Sequence, residues 1–122
     1  MSTDCIFCKI AAGEIPSSKV YEDDELYAFR DINPAAPIHI LVIPKAHIAT
    51  LADCTTDAQA AMLGRMMAIA PKIALDNGAP ALPEGGFRVV MNVGPQGGQE
   101  VYHMHLHILA GERPWRGFAE GH

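Results

Sequence analysis

Residues 101–111 read VYHMHLHILAG, and their alternation constrains the fold more than any other feature of the chain. A β-strand sends successive side chains to opposite faces. His103, His105 and His107 therefore share one face, and Met104, Leu106 and Ile108 share the other. Val101 and Tyr102 add β-propensity ahead of them. The segment predicts a strand with an apolar underside and a row of imidazoles above it.

A second segment, IHILVIP, is apolar on both faces and is expected to lie centrally in the same sheet. KVYEDDELYAFRDI predicts two strands around the acidic turn Glu22 to Glu25, and FRVVMNV predicts another strand. NPAAP is a loop, because Pro34 and Pro37 break a ladder. KAHIATLADC is expected to be irregular. A short helix is expected over residues 1–12, with Asp4 as N-cap, Ile6 and Ile10 on one face and Gly13 closing it. Thr55 or Thr56 caps a longer helix whose inner face carries Met62, Met66, Ile69 and Ile73. Pro71 should kink or interrupt that helix. The order of elements favours an antiparallel α+β layer over a parallel sheet.

The chain has 122 residues, enough for one domain with a modest core, and 49% of them are hydrophobic, too many for disorder. A net charge of -5 argues against holding DNA or RNA along a basic face, though not against a small anionic ligand in a local site. The longest apolar run is too short to span a bilayer, and no signal-peptide pattern opens the sequence. Three cysteines do not suggest a disulfide framework. These features predict a cytoplasmic protein without nucleic-acid or membrane partners.

Three alternating histidines fit two chemistries. Nearest same-face residues on a strand are roughly 6.6 Å apart, so two imidazoles can converge on one metal ion while the outer pair cannot readily do so. Neutral imidazole is also a nucleophile that attacks phosphorus. That reaction needs one ring nitrogen free, the other fixed, and donors for the phosphoryl oxygens. The preceding NVGPQGGQE can supply donors from backbone N–H groups freed by its glycines, with Asn92 and Gln99 adding side chains. The plain alternative is that these histidines pack or hydrogen-bond within the structure. Three in register beside a Gly-Gly loop weigh against it.

HMHLHIL resembles the signature of the histidine triad family, in which histidines alternate with apolar residues. CIFCKIAAGEIPS, YEDDELYAFRDINPAAPIHILVIPKAHI and GGQEVYHMHLHILAG resemble its Hint-like branch, in order and spacing, nearly to Gly111. The resemblance implies an α+β fold with an antiparallel sheet of about five strands, one long and one short helix, and a homodimer that pairs its sheets. It implies hydrolysis of purine nucleoside 5′-phosphoramidates through a nucleotidyl-histidine, with no cofactor for the chemistry. By this resemblance His105 is the nucleophile, His107 contacts the phosphate oxygens, and His103 and His39 orient the central ring through a hydrogen-bond chain. Asn92, Gly98 and Gln99 would line the phosphate pocket and Asp31 would accept from the ribose hydroxyls. Ile6, Phe7, Ile10, Phe29 and Ile32 would sandwich the base, although ordinary core packing also accounts for apolar residues there.

Glu100 stands where several members carry a serine that reaches the leaving group, and Glu there is familiar among bacterial members. A carboxylate donates only when protonated and repels phosphate if it points inward, so an outward position is expected. Cys5 and Cys8 form a CxxC that, in some members, joins two histidines in a structural zinc site, and His47 and His103 stand at the matching positions. A Cys₂His₂ set suits tetrahedral Zn²⁺; two reduced thiols on a short helix are the alternative. The segment 111–122, with Trp115, would be a C-terminal tail approaching the partner's site, or a disordered end. Two further functions compete with the phosphoramidase: a zinc-dependent hydrolase using triad histidines as ligands, and a non-enzymatic nucleotide sensor or scaffold.

Overall fold

The computed structural model describes residues 4–112; the tail expectation, Trp115 included, lies outside them. Five strands form one antiparallel sheet: β1 (Lys19–Glu22), β2 (Leu26–Arg30), β3 (Ile38–Pro44), β4 (Phe87–Val90) and β5 (Leu106–Ala110), in the spatial order β1-β2-β3-β5-β4. Two helices, α1 (Ile6–Ala11) and α2 (Asp57–Asp76), complete the described secondary structure with a short 3-10 turn at Leu51–Asp53. That turn lies in a stretch expected to be irregular.

β3 is central, as its two-sided apolarity requires, and pairs with β2 and β5. Its even-numbered residues meet α2. Ile40 and Val42 pack with Leu26, Ala28, Leu106 and Ile108 against Met62, Met66, Ala70 and Ile73 of that helix. Its odd-numbered residues face the other way, where Leu41 and Ile43 join Tyr27 and Phe29 beneath Phe7 and Ile10 of α1. A sheet covered by a helix on each face needs this pattern, since a one-residue slip would exchange the two faces.

Several boundaries differ from the sequence reading. α1 begins at Ile6 and its N-cap is Cys5, not Asp4: the Cys5 sulfur accepts from the Cys8 N–H at 3.3 Å. Gly13 does adopt the left-handed conformation that ends such a helix, with φ of 81°. β4 stops at Val90, so Met91, Asn92 and Val93 leave the ladder. The β5 ladder starts only at Leu106, so His103 and His105 precede it. Thr56 caps α2 in a reciprocal box with Gln59. α2 then runs through Pro71 without interruption. Pro71 lies on the exposed side, one turn after half-exposed Met67, so the carbonyl it deprives of a partner is on the solvent side.

Candidate active site

The odd-numbered face carries the histidines. His39 comes from β3 and His107 from β5, while His105 and His103 sit on the approach to β5; all four are buried. The alternation outlasts the ladder. Met104, between His103 and His105, is fully buried in the α2 core, and its N–H donates to the Ile48 carbonyl at 2.7 Å. The His103 Nε2 donates to the Pro44 carbonyl at 2.7 Å. Contacts with the 44–48 segment therefore hold the two upstream histidines in register.

Backbone partners fix which nitrogen of each ring carries the proton. The His105 Nδ1 lies 2.8 Å from the His103 carbonyl, which can only accept. Nδ1 therefore bears the hydrogen, and Nε2 of the neutral ring keeps its lone pair. The Ala35 N–H donates to the His39 Nδ1 at 2.9 Å, which puts the His39 hydrogen on Nε2. That Nε2 lies 2.9 Å from the His107 Nδ1 and donates to it, so His107 bears its own hydrogen on Nε2. Two rings with centroids 4.9 Å apart thus carry opposite functions at Nε2: a lone pair on His105 and an N–H on His107. The expected orienting chain differs in detail. His39 aligns His107 rather than the central ring, and His103 holds His105 through its carbonyl rather than its imidazole.

Burial keeps these rings neutral. It holds His39, His103 and His105 below the usual histidine range. His107 is pushed down to about 3, by burial first and then by the neighbouring His105 and His39. The Asp31 carboxylate, 3.5 Å from the His39 Nε2, favours the charged ring, but burial outweighs it. Neutral rings are what the donor and acceptor pattern requires.

A cleft of about 590 Å³ opens over this face. His39, His105 and His107 line it together with Ile6, Phe7, Ile10, Phe29, Asp31, Ile32, Asn92, Gly98 and Glu100. Phe7 meets Phe29 and His105 edge-on, with centroids 5.5 and 5.1 Å apart. Ile32 is 91% exposed and stands at the rim rather than in a sandwich. Glu100 is exposed yet borders the cleft, so it is not turned wholly away. A roomier hollow of about 1000 Å³ lies beside β4, lined by Leu82, Phe87 and Arg88 among others, but no histidine or cysteine among the described residues faces it. Chemistry rather than size singles out the histidine cleft.

Gln99 is not on the cleft lining, because its side chain is bonded to main-chain groups of its own loop and of Ala49. Its Oε1 accepts from the Gly94 N–H at 2.9 Å, and its Nε2 donates to the Ala49 and Val101 carbonyls at 2.7 and 3.0 Å. The N–H groups of Gly97, Gly98 and Gln99 donate to loop carbonyls at Gly94 and Pro95, not into the cleft. A side chain at Gly97 would bring a Cβ within 2.3 Å of the Val93 carbonyl, so glycine there permits tight turning rather than anion contact. These three N–H groups are turned back on the loop, so the polar groups bordering the cleft include the side chains of Asn92, Ser17, Ser18 and Asn33 beside His107.

His103 does not line the cleft; its ring belongs to a second cluster. Its Nδ1 lies 3.2 Å from the Cys5 sulfur and 3.5 Å from the Cys8 sulfur, and the His47 Nδ1 lies 3.3 Å from Cys8. All four ligand atoms fall within 4.8 Å of one another. Tetrahedral zinc with bonds of about 2.1–2.3 Å separates its ligand atoms by roughly 3.5 Å, close to this spacing. The tautomer fits as well: with Nε2 donating to Pro44, the His103 Nδ1 offers a lone pair. Burial, together with the adjacent Cys5 sulfur, pushes the Cys8 thiol up to about 11, so thiolate formation needs a cation. Asp31, His39 and His107 form another close group. It fits a metal poorly, because the Ala35 N–H leaves the His39 Nε2 carrying a hydrogen where a ligand needs a lone pair.

Residue identity did not reveal the carbonyls of His103 and Pro44 or the Ala35 N–H. Leu41 also lines the cleft, and its strand period with His39 was the available signal. A family model described as HIT domain matches residues 12–114. The chain is 50% identical over 111 residues to the purine nucleoside phosphoramidase of Escherichia coli (strain K12), covering 91% of this chain and 90% of that protein. A histidine triad protein from Clostridium difficile superposes with a TM-score of 0.85 at 51% identity, covering 93% of this chain and 96% of that one. A Zn-bound histidine triad family protein from Mycobacterium smegmatis gives a TM-score of 0.75 at 32% identity, covering 92% of this chain and 78% of that one. Sequence, fold and the arrangement of the histidines lead to one assignment: the chain belongs to the HIT family.

Proposed function

We propose that the protein is a purine nucleoside phosphoramidase that works through a nucleotidyl-histidine on His105. The observation that carries this reading is the opposed pair of nitrogens, the His105 Nε2 lone pair beside the His107 Nε2–H. The His105 Nε2 attacks the α-phosphorus as the P–N bond to the leaving amine breaks and that nitrogen takes up a proton from solvent, which the later attack of water returns. The His107 N–H and Asn92 stabilise charge on the phosphoryl oxygens. The new imidazole–phosphorus bond then yields to water, which releases the nucleoside monophosphate and restores the lone pair. Ile6, Phe7, Ile10 and Phe29 form an apolar wall suited to a purine, and Asp31 at the cleft faces the ribose hydroxyls. The E. coli relative's name supports the substrate class.

Rapid quench with a purine 5′-phosphoramidate labelled at phosphorus is expected to trap label on His105 as an acid-labile, base-stable adduct. Label on another residue, or turnover with no label trapped on protein, would overturn the reading. Turnover without a trapped adduct would favour direct, metal-dependent hydrolysis. Bound nucleotide without measurable single turnover would favour a sensor.

Cys5, Cys8, His47 and His103 would hold a structural zinc in the same scheme, joining α1 to the sheet and taking no part in bond cleavage. The molecule would act as a homodimer through edge strand β4 and the half-exposed Met67 and Leu75 of α2. Sedimentation as a 13.1 kDa species at micromolar concentration would refute the dimer. Three free thiols suit a reducing compartment, which supports a cytoplasmic location.

A further inference from the structure

We infer that the Cys5–Cys8–His47–His103 cluster is a metal-dependent clamp on the nucleotide cleft: its occupancy holds α1 as the wall of the purine subsite and steadies His105. This rests on the nucleotide reading of the cleft above.

α1 has six residues, too few to persist as an isolated helix in water. Its Ile6, Phe7 and Ile10 nevertheless form one wall of the cleft, and Ile6 is 47% exposed. The sulfurs of Cys5 and Cys8 reach across to the 103 and 47 side chains. Phe7 lies between those two cysteines in sequence and meets the His105 ring edge-on, with centroids 5.1 Å apart. A contact that fixes both cysteines therefore also fixes the aromatic side chain against the nucleophile.

The second path runs through His103, which belongs to both sites. Its ring lies against the two sulfurs, and its carbonyl accepts from the His105 Nδ1 at 2.8 Å. On the far side, the Pro44 carbonyl limits ring rotation at 2.7 Å. A metal bound at Nδ1 immobilises the residue whose carbonyl aims the nucleophile. Cys5, Cys8 and His47 are on this account positioning residues: the thiols and the 47 ring do not line the cleft, yet they determine where two of its walls stand. Without the metal, α1 rests on apolar packing through Phe7, Ile10 and Ala11 and on thiol contacts of neutral strength.

The test compares zinc-loaded wild-type protein, the same protein stripped by a chelator, and stripped protein given zinc again. All three are studied well below the melting temperature of the stripped form. Zinc content is measured directly, affinity for adenosine 5′-monophosphate by calorimetry, and amide hydrogen exchange across the chain. Stripping is expected to weaken nucleotide binding tenfold or more and to raise exchange in residues 6–11, with both effects reversed by zinc. Cys8→Ser should behave like the stripped form and not respond to zinc. Unchanged affinity and unchanged α1 exchange, even with a lower melting temperature, would overturn the clamp. So would exchange rising equally through β3 and β5, or protein that binds no zinc. If the monophosphate binds in neither state, the nucleotide reading fails instead, while exchange in α1 still decides the clamp.

Discussion

The two faces of the central sheet use the same backbone for opposite ends. On the α2 face every inward side chain from β3 and β5 is aliphatic, and Ile40, Val42 and Ile108 are fully buried against Met66 and Ile73. On the α1 face the same strands contribute His39 and His107, and a six-residue helix covers only part of the surface. The α2 face gains stability from uniform apolar burial. The α1 face bears the cost of desolvating four imidazoles, and that cost holds them neutral at physiological pH. The rigid side makes the irregular side possible: because the even residues cannot slip, the odd ones keep their positions.

The comparison breaks most sharply at His105. His105→Ala should lower turnover by several orders of magnitude while purine monophosphate binding survives, because base, ribose and phosphate contacts come from other residues. His107→Ala should weaken binding and turnover together, since it removes a donor. Parallel steady-state kinetics and calorimetry on the two variants would separate the roles; near-normal turnover of His105→Ala would end the assignment. On the opposite face, Met66→Ala should cost about 2–5 kcal/mol of stability by leaving a cavity. Denaturant titration reads that loss, and kcat of the folded variant should stay close to wild type. A drop in kcat without a drop in stability would mean the faces are not separable in this way.

The smallest effect is a pH dependence peculiar to the α1 face. Its histidines take up protons less readily when folded than when unfolded, so the unfolded chain binds more protons as pH falls. Stability should therefore be full above the ordinary histidine value of 6.5 and decline below it, with the His107 contribution extending to about pH 3. Asp31 beside His39 moderates that ring's share. Urea denaturation between pH 7.5 and 4 measures the slope, and His107→Asn should flatten it. A wild-type curve flat across that interval would show that burial does not hold the rings neutral.

Much of this contrast was legible in the sequence. The period of two in HMHLHIL assigned every side chain to its correct face, even where the ladder itself is absent at His103 and His105. The apolarity of IHILVIP on both faces placed β3 centrally. The Gly-rich loop was legible in part: Asn92 and Gly98 do line the cleft, but glycine signals only that the chain turns tightly. Whether its N–H groups end in a cleft or on their own carbonyls depends on geometry that residue type does not carry. Gln99 is similar: a side-chain amide serves equally as a ligand donor or a loop clip, and the nearby Ala49 carbonyl that captures it is fifty residues away. Pro71 misled because the effect of proline in a helix depends on which side of the helix loses the hydrogen bond, and here that side faces solvent.

The bond from Ala35 to His39 has a consequence for how such a site can drift over generations. The proton on the His107 Nε2 traces back to a main-chain N–H. Nineteen of the twenty coded residues would furnish that N–H, so the instruction is carried by a place in the chain and leaves no trace in the alphabet. Packing beside Ala36 and Leu109 and a place on the cleft limit the size of a side chain at position 35, but the N–H itself is closed only to proline, although Pro34 and Pro37 stand on either side. A tally of invariant side chains would pass over the position, while a single codon change to proline there would leave every histidine in place and remove the rule by which two of them share their protons.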